Sequence, residues 1–191
     1  GLDRDALRRR AAPVQRFVAW LDRDAQAAAG ARVVQELNTL THISATLNQA
    51  ADLQEAIAAI LHALTSLMGL NTGWVFLLDD DDAFVPVADI GLPPALADDD
   101  RRELRREPEC ECQWQLRTGR LKRAVNIVQC SRLEEAAGDT GGLRYHASIP
   151  IRARKRTLGI LSVTGASEGV FGGADLQVLG AVGDALGMAI E

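Results

Sequence analysis

Apolar residues recur at helical spacing through the first third of the chain, and this periodicity predicts three helices. The first spans residues 2–29, and Gly30 separates it from the second. In the second helix the seam positions step by four, three, four and three residues through Val33, Leu37, Leu40, Ser44 and Leu47. This heptad-like spacing, interrupted once by the serine, predicts a helix that packs either on its own domain or along a dimer seam.

The third helix is predicted over "ADLQEAIAAILHALTSLMG", residues 51–69. Asp52 and Glu55 have the spacing of a capping box at its start, and Gly69 suits its C-terminal cap. His62 adjoins the apolar face of this helix. We interpret it as a structural residue and not as a ligand.

After residue 72 the helical period gives way to short apolar runs with alternation, which predict strands. "TGWVFLLD" and "AFVPVADIG" predict a hairpin with strands at 73–78 and 84–90. A polar, helical connection and the short strand "AVNIV" follow, and then a second strand pair at 145–152 and 157–164. The last predicted helix is "GADLQVLGAVGDALGMAIE". This order predicts an α+β fold, in which a central antiparallel sheet has helices on one face and a ligand or cofactor segment on the other.

Composition narrows the class of protein. The 191 residues, of which 47% are hydrophobic and 25% charged, suit one globular domain with an accessory segment. A net charge of −5 argues against a nucleic-acid-binding domain, whose footprint is basic. No apolar run approaches the ~18 residues that span a bilayer, and no signal peptide opens the chain. We therefore expect a cytoplasmic location and no membrane partner.

Three segments together resemble a GAF domain: "DLQEAIAAILHALTSLMGLNTGWVFLLD", "HASIPIRARKRTLGILSVTGAS" and "FGGADLQVLGAVGDALGMAIE". The resemblance covers roughly residues 33–191. It implies a GAF-like central antiparallel sheet with a ligand pocket on one face. Residues 1–32 are then an N-terminal helical extension, and residues 33–191 the GAF sensor domain.

Within that family the chain looks most like the sensor domains of bacterial two-component histidine kinases. This resemblance implies signalling without catalysis, a homodimer formed through the N- and C-terminal helices, and a response regulator served by a kinase region outside this sequence. No phosphoacceptor-His motif or glycine-rich ATP box is present, and we interpret His42 in "LTHIS" as structural. The "NKxnFDE"-type signature of cyclic-nucleotide-binding members and the Cys-His dipeptide of bilin-carrying members are also missing.

All three cysteines of the chain lie in one 21-residue window, as Cys110-x-Cys112-x17-Cys130, and fifteen residues separate Cys130 from His146. We place Cys110 and Cys112 at the end of the polar helix, Cys130 just after "AVNIV", and His146 at the start of a strand. If the middle segment covers one face of the sheet, the four side chains converge. Three thiolates and one imidazole are a complete set for zinc or for an iron–sulfur cluster.

We interpret these four residues as ligands of an iron–sulfur cluster, and favour the four-iron type because a cubane offers four irons to four protein ligands. The resemblance supports this, since some GAF-containing sensor kinases carry such clusters, and it implies a sensor of redox state, oxygen or nitric oxide. Nearby basic residues are expected to stabilise the thiolates: Arg117, Arg120, Lys122 and Arg123. Trp114 is expected to shield the site or to fill the core.

Several alternatives stay open. Other interpretations of the thiols are ordinary small core residues, a structural zinc site or a redox-active set. The GAF-fold free methionine-R-sulfoxide reductase uses three cysteines in this part of the fold, which makes a thiol enzyme the main alternative function. Cys110, Cys112 and Cys130 would then be nucleophile and resolving thiols, although their spacing departs from that enzyme's pattern. A domain that binds an organic ligand or haem would leave the thiols without a role.

Overall fold

The computed structural model describes residues 53–127, 129–154, 156–165 and 171–190. The two predicted N-terminal helices, with His42, lie outside the described residues. So do Asp52 of the predicted capping box and the domain boundary placed at residue 33.

The sheet has the predicted antiparallel architecture. Its strands are β1 (Thr72–Leu78), β2 (Phe84–Ile90), β3 (Val125–Ile127), β4 (Tyr145–Ala153) and β5 (Arg156–Gly165). They pair in the order β2-β1-β5-β4-β3, and every neighbouring pair is antiparallel. The predicted strands at 73–78, 84–90, 145–152 and 157–164 are confirmed, and "AVNIV" supplies the short edge strand β3.

Helices precede, interrupt and follow these strands. They are α1 (Leu53–Leu67), α2 (Pro94–Arg101) with a 3₁₀ turn at Arg102–Arg105, α3 (Glu111–Arg117), α4 (Ser131–Glu134) and α5 (Gly173–Ile190). The predicted polar connection corresponds to α2 and the 3₁₀ turn. Among the described residues, none of the helices combines the length and the apolar character that crossing a membrane requires.

Helix α1 ends where the sequence predicts. Gly69 has a φ of +65°, a conformation that costs glycine little, and its N–H donates to the Ser66 carbonyl at 3.2 Å. The next N–H, of Leu70, donates to the Thr65 carbonyl at 2.8 Å. These two bonds are the Schellman closure of a helix, and they turn the chain directly into β1.

Strand alternation gives the sheet two different faces. On β4 the apolar side chains of Ala147, Ile149 and Ile151 enter a core with α1 and α5. His146 and Ser148 alternate with them and therefore lie on the opposite face. The helices thus cover one face of the sheet, as predicted, and the face that carries the histidine is left for the segment between β2 and β4.

That segment forms a second apolar cluster against the other face. Trp74 and Phe76 of β1 and Ile160 of β5 contribute from the sheet. The covering segment contributes all three cysteines together with several leucines: Leu96, Leu104, Leu116, Leu121 and Leu133. The cysteines are therefore part of the packing on this face.

Helix α5 lies directly on the backbone of β4 at two glycines. A Cβ atom at Gly183 would lie 2.6 Å from the Pro150 carbonyl oxygen, and one at Gly187 would lie 1.8 Å from the Arg152 carbonyl oxygen. These approaches are shorter than any real Cβ contact. The helix therefore depends on hydrogen at these two positions to reach the strand.

We expect Gly187→Ala to lower the free energy of unfolding by about 1–3 kcal/mol, because the methyl group must displace backbone on β4. Gly180→Ala is the matched control, since a Cβ there meets nothing within 4 Å. In the control, better helix propensity should raise stability by about 0.5–1 kcal/mol. Urea denaturation of both variants measures the difference, and equal effects at the two positions would contradict the close packing of α5 on β4.

Candidate metal or redox site

The cysteines lie at the starts of two short helices. Cys110 is the N-cap residue of α3, Cys112 lies in its first turn, and Cys130 is the N-cap residue of α4. The placement of Cys110 and Cys112 at the end of the polar helix was wrong. The 3₁₀ turn after the polar helix ends at Arg105, and a new helix begins at Glu111, three residues after Pro108.

The three sulfur atoms converge in one buried site. The Sγ atoms of Cys110 and Cys112 are 3.1 Å apart, and the Cys130 side chain also hydrogen-bonds Cys110. The cysteines are 2%, 1% and 1% exposed in chain order, and all of them are free thiols. The fold thus brings Cys130 close to the other two cysteines, although 17 residues separate it from Cys112 in the sequence.

The shared hydrogen bonds concentrate negative charge on one sulfur. Bonds from Cys112 and Cys130 hold the pKa of the Cys110 thiol well below its usual range, and the charge of Arg132 adds to this. The pKa of Cys112 is raised because it donates to Cys110 and is buried, and the pKa of Cys130 is raised for the same two reasons. These hydrogen bonds therefore favour negative charge on Cys110 over its two neighbours.

Gln113 and Arg132 lie beside Cys110. The Gln113 Oε1 atom accepts from the Cys110 backbone N–H at 3.1 Å and from Arg132 Nη2 at 2.7 Å. Arg132 also donates to the carbonyl oxygens of Glu103 and Arg106. Both side chains are buried, so a guanidinium charge lies beside the sulfur atoms in a region with little water.

His146 lies on the same face of the sheet. Its ring centroid is 5.5 Å from that of Trp74, and its Nδ1 atom is 3.2 Å from Ser148 Oγ. Burial lowers the pKa of His146 to about 4, although the negative charge of Cys110 opposes this shift. The imidazole is therefore neutral at physiological pH, and its buried Nε2 atom has no hydrogen-bond partner among the residues that the structure describes.

Ser148 connects the histidine to the thiols. Its Oγ atom contacts His146 Nδ1, and its side chain lowers the pKa of the nearby Cys112 thiol. The structure thus brings together the four residues singled out from the sequence: the three cysteines in direct contact, and His146 through one serine.

The basic residues expected near the thiols have other roles. All four are exposed to solvent: Arg117, Arg120, Lys122 and Arg123. Arg117 pairs with Glu109, and the Arg120 guanidinium stacks 4.5 Å from the centroid of the Trp114 ring. Trp114 is 40% exposed, so it neither shields the site nor fills the core. The expectation for these five side chains was wrong.

Three functional positions were missed in the sequence. Gln113 follows Cys110 at the spacing of a capping box, which was the available signal. Ser148 lies two residues after His146 and so shares its face of the strand. The sequence contains no pattern that singles out Arg132. A single arginine after a short polar stretch is usually exposed, and only the fold shows that this one is buried.

A groove runs along the surface beside the site without reaching the sulfur atoms. It has a volume of about 920 Å³, and its lining includes Glu109, Trp114, Asn126 and Ser131. None of the cysteine side chains lines it. A molecule bound in this groove would therefore remain separated from the thiols by the packing of α3 and α4.

The donors present fit an iron–sulfur cluster or zinc in their chemistry. Three thiols, a neutral imidazole with an unpartnered Nε2, and a buried cation form a set that such centres use. The distances between these donors, however, are not those of a metal site. In the described part of the chain, no three His, Cys, Asp or Glu side chains have the spacing of a ready-made metal site. Two thiolates on one tetrahedral zinc lie ~3.8 Å apart, given bonds of ~2.3 Å, and ligands on separate irons lie farther apart. The 3.1 Å pair must therefore separate on binding a metal.

The chain thus combines an antiparallel sheet with helices on one face and a buried, cysteine-bearing segment on the other. The family model described as GAF domain matches residues 50–191, and the chain belongs to this family.

The chain is similar to the sensor histidine kinase YhcY of Bacillus subtilis (strain 168), with 37% identity over 164 residues. The match covers 83% of this chain and 42% of that kinase, so the chain spans less than half the length of the curated relative that it matches. The chain is therefore related to part of a sensor histidine kinase.

Two solved structures show the same fold. A GAF domain from a phosphoenolpyruvate-protein phosphotransferase of Coxiella burnetii has a TM-score of 0.64 and 19% identity, over 82% of this chain and 93% of that one. The free methionine-R-sulfoxide reductase of Neisseria meningitidis has a TM-score of 0.56 and 15% identity, over 81% of this chain and 87% of that one. The fold is therefore shared by a domain of a phosphotransferase and by a reductase.

We expect His146 to make the stability of the domain depend on pH. The native state keeps the imidazole neutral down to about pH 4, whereas the unfolded chain binds a proton below its ordinary pKa of 6.5. The free energy of unfolding should thus fall as pH falls from 6.5 to 4, by up to about 3 kcal/mol at about 1.4 kcal/mol per pH unit.

Urea denaturation of the reduced protein across this pH range, in the presence of a chelator, measures the effect. His146→Gln should flatten the profile, and His62→Gln, at an exposed position of α1, should retain the wild-type slope. A profile that His146→Gln leaves unchanged would show that the buried imidazole is not the source.

Proposed function

We propose that the chain is the redox- or gas-sensing domain of a two-component histidine kinase, with an iron–sulfur cluster bound by Cys110, Cys112, Cys130 and His146. The observation that carries this proposal is the meeting of all three cysteines of the chain in one buried site. The histidine-kinase context is supported by the 37% identity to YhcY.

Each residue of the site has a physical role in this proposal. The three cysteines bind iron as thiolates, and His146 offers the lone pair of Nε2. Arg132 offsets the negative charge of the thiolates, and Gln113 holds both the guanidinium and the N-cap residue in place. A bound cluster supplies an electron-accepting, oxygen- and nitric-oxide-reactive centre.

Burial supports a sensor of small molecules over a thiol enzyme. A reductase of free methionine sulfoxide must bring an amino acid into contact with its nucleophilic sulfur. Here each sulfur belongs to a residue at most 2% exposed, and the 920 Å³ groove does not reach them. Oxygen, nitric oxide and electrons can enter such a site, whereas an amino acid cannot enter without opening it.

We also propose how the domain assembles, which partners it has and where it is located. The domain acts as a homodimer through the helices at its two ends, has no catalysis of its own, and passes its signal to a kinase region that serves a response regulator. Its net charge of −5 supports the absence of a nucleic-acid partner. We propose a cytoplasmic location with no membrane partner, which also agrees with free, clustered cysteines.

We expect protein purified without oxygen to contain iron and acid-labile sulfide in similar amounts, with visible absorbance. Serine at Cys110, Cys112 or Cys130 should abolish stable incorporation, because a hydroxyl is a far poorer iron ligand. His146→Ala should be milder and make the cluster more labile, because solvent can take one ligand position. His62→Ala is the control and should keep the full iron and sulfide content.

The alternatives give different results in the same preparation. Zinc without sulfide would indicate a structural zinc site, and colourless protein with a disulfide after oxidation would indicate a redox-active thiol pair. Turnover of free methionine sulfoxide would indicate the enzyme. A full complement of iron and sulfide in the three cysteine variants, with folding verified by urea denaturation, would refute the assigned ligands.

A further inference from the structure

We infer that Cys110 and Cys112 form a site of oxidative modification, at which a peroxide joins their two sulfur atoms in a disulfide at the start of α3. This inference goes beyond the proposed function and does not depend on it. The pairing follows from the positions of the two free thiols and requires no metal.

The two sulfur atoms are already close to each other. The distance between the Sγ atoms of Cys110 and Cys112 is 3.1 Å, and a disulfide bond has a length of ~2.05 Å. Two residues of extended chain span at most ~7 Å, and disulfides bridge Cα atoms that are ~4.4–6.8 Å apart. Closing the bond therefore requires the sulfur atoms to approach by about 1 Å, and it requires no movement of a whole helix.

The connection along the chain favours this pair over any pair that includes Cys130. Cys110 is the N-cap residue of α3 and Cys112 lies in the first turn of the same helix, whereas Cys130 is the N-cap residue of α4. A single residue separates the first two cysteines, so they stay together even when α3 and α4 move relative to each other. A disulfide with Cys130 closes a longer loop and needs both helices to keep their positions.

The reaction consumes one peroxide and leaves the two cysteines oxidised. A thiolate attacks one oxygen of hydrogen peroxide, the O–O bond breaks, and the sulfur becomes a sulfenic acid while hydroxide leaves. The second thiol attacks the sulfenic sulfur, which forms the S–S bond and releases the sulfenic oxygen as water. Its proton neutralises the hydroxide. Two thiols and one peroxide thus give one disulfide and two molecules of water.

Burial determines which oxidants reach this pair. Cys110 is 2% exposed and Cys112 is 1% exposed, and the 920 Å³ groove does not reach either side chain. Thiol–disulfide exchange requires direct contact between an attacking sulfur and its target, which the packing around these residues prevents for a large disulfide. A small peroxide is therefore the class of oxidant that fits the site.

The sequence allows the possible disulfides to be told apart in a tryptic digest. Trypsin cuts after arginine and lysine, so residues 107–117 form one peptide with both Cys110 and Cys112, and residues 124–132 form another with Cys130. A disulfide between the first two cysteines makes the first peptide two hydrogens lighter. A disulfide with Cys130 joins the two peptides. Mass spectrometry of the wild type thus identifies the pair without relying on the folding of a variant.

The test treats the full chain, reduced and kept with a chelator, with one equivalent of hydrogen peroxide and then alkylates the remaining thiols after denaturation. We expect peptide 107–117 to lose both alkylation sites and two hydrogens, and the Cys130 peptide to stay alkylated. Reduction with dithiothreitol should restore both alkylation sites. Cys130→Ser is the matched control and should form the disulfide to the same extent as the wild type, whereas Cys112→Ser should form none within this peptide.

Two results would overturn the inference. One is a wild-type digest in which the main oxidised product joins the two peptides. The other is a peptide 107–117 that keeps two alkylated cysteines, or gains oxygen atoms without losing the two hydrogens. The iron and sulfide content of protein purified without oxygen decides the proposed function separately, so either claim can fail while the other stands.

Discussion

The hydrogen bonds between the Cys110 sulfur and its two neighbouring thiols are the interaction on which the cysteine side of the sheet depends. They favour negative charge on Cys110 in a dry region, and such a charge is costly to bury unless other groups compensate it. Arg132 supplies the opposite charge, Gln113 holds it there, and the N-cap positions of α3 and α4 orient the sulfur atoms. The segment between β2 and β4 is thus organised around charge as well as apolar packing.

The sheet separates this site from the helices while strand β4 touches both. His146 and Ser148 face the thiols, and the backbone of the same strand meets Gly183 and Gly187 of α5. Arg152 adds a further link, because its side chain donates to the Leu121 and Lys122 carbonyl oxygens after α3. A change in the spacing of the thiols therefore acts on elements in direct contact with the strand that carries the closing helix.

The five strands and the helices α1 and α5 could be predicted because their patterns are local. Alternation at 145–152 and the glycine at residue 69 each reflect one strand or one helix end, and both agree with the structure. The details of the site could not be predicted from the sequence, because they depend on which side chains the fold buries. The sequence does not show that Arg117 points to solvent while Arg132 is enclosed, since that depends on how the segment folds over the sheet. The start of α3 at Glu111 was missed because a capping box headed by cysteine is an unusual signal.

The central claim is that the converging thiols hold an iron–sulfur cluster, and X-ray absorption at the iron edge of anaerobically purified protein tests it most directly. The account predicts a shell of sulfur neighbours around iron together with a short iron–iron distance. Replacing His146 should remove a nitrogen contribution and leave the sulfur shell in place. Iron absent from the protein, or surrounded by oxygen and nitrogen alone, would contradict the account.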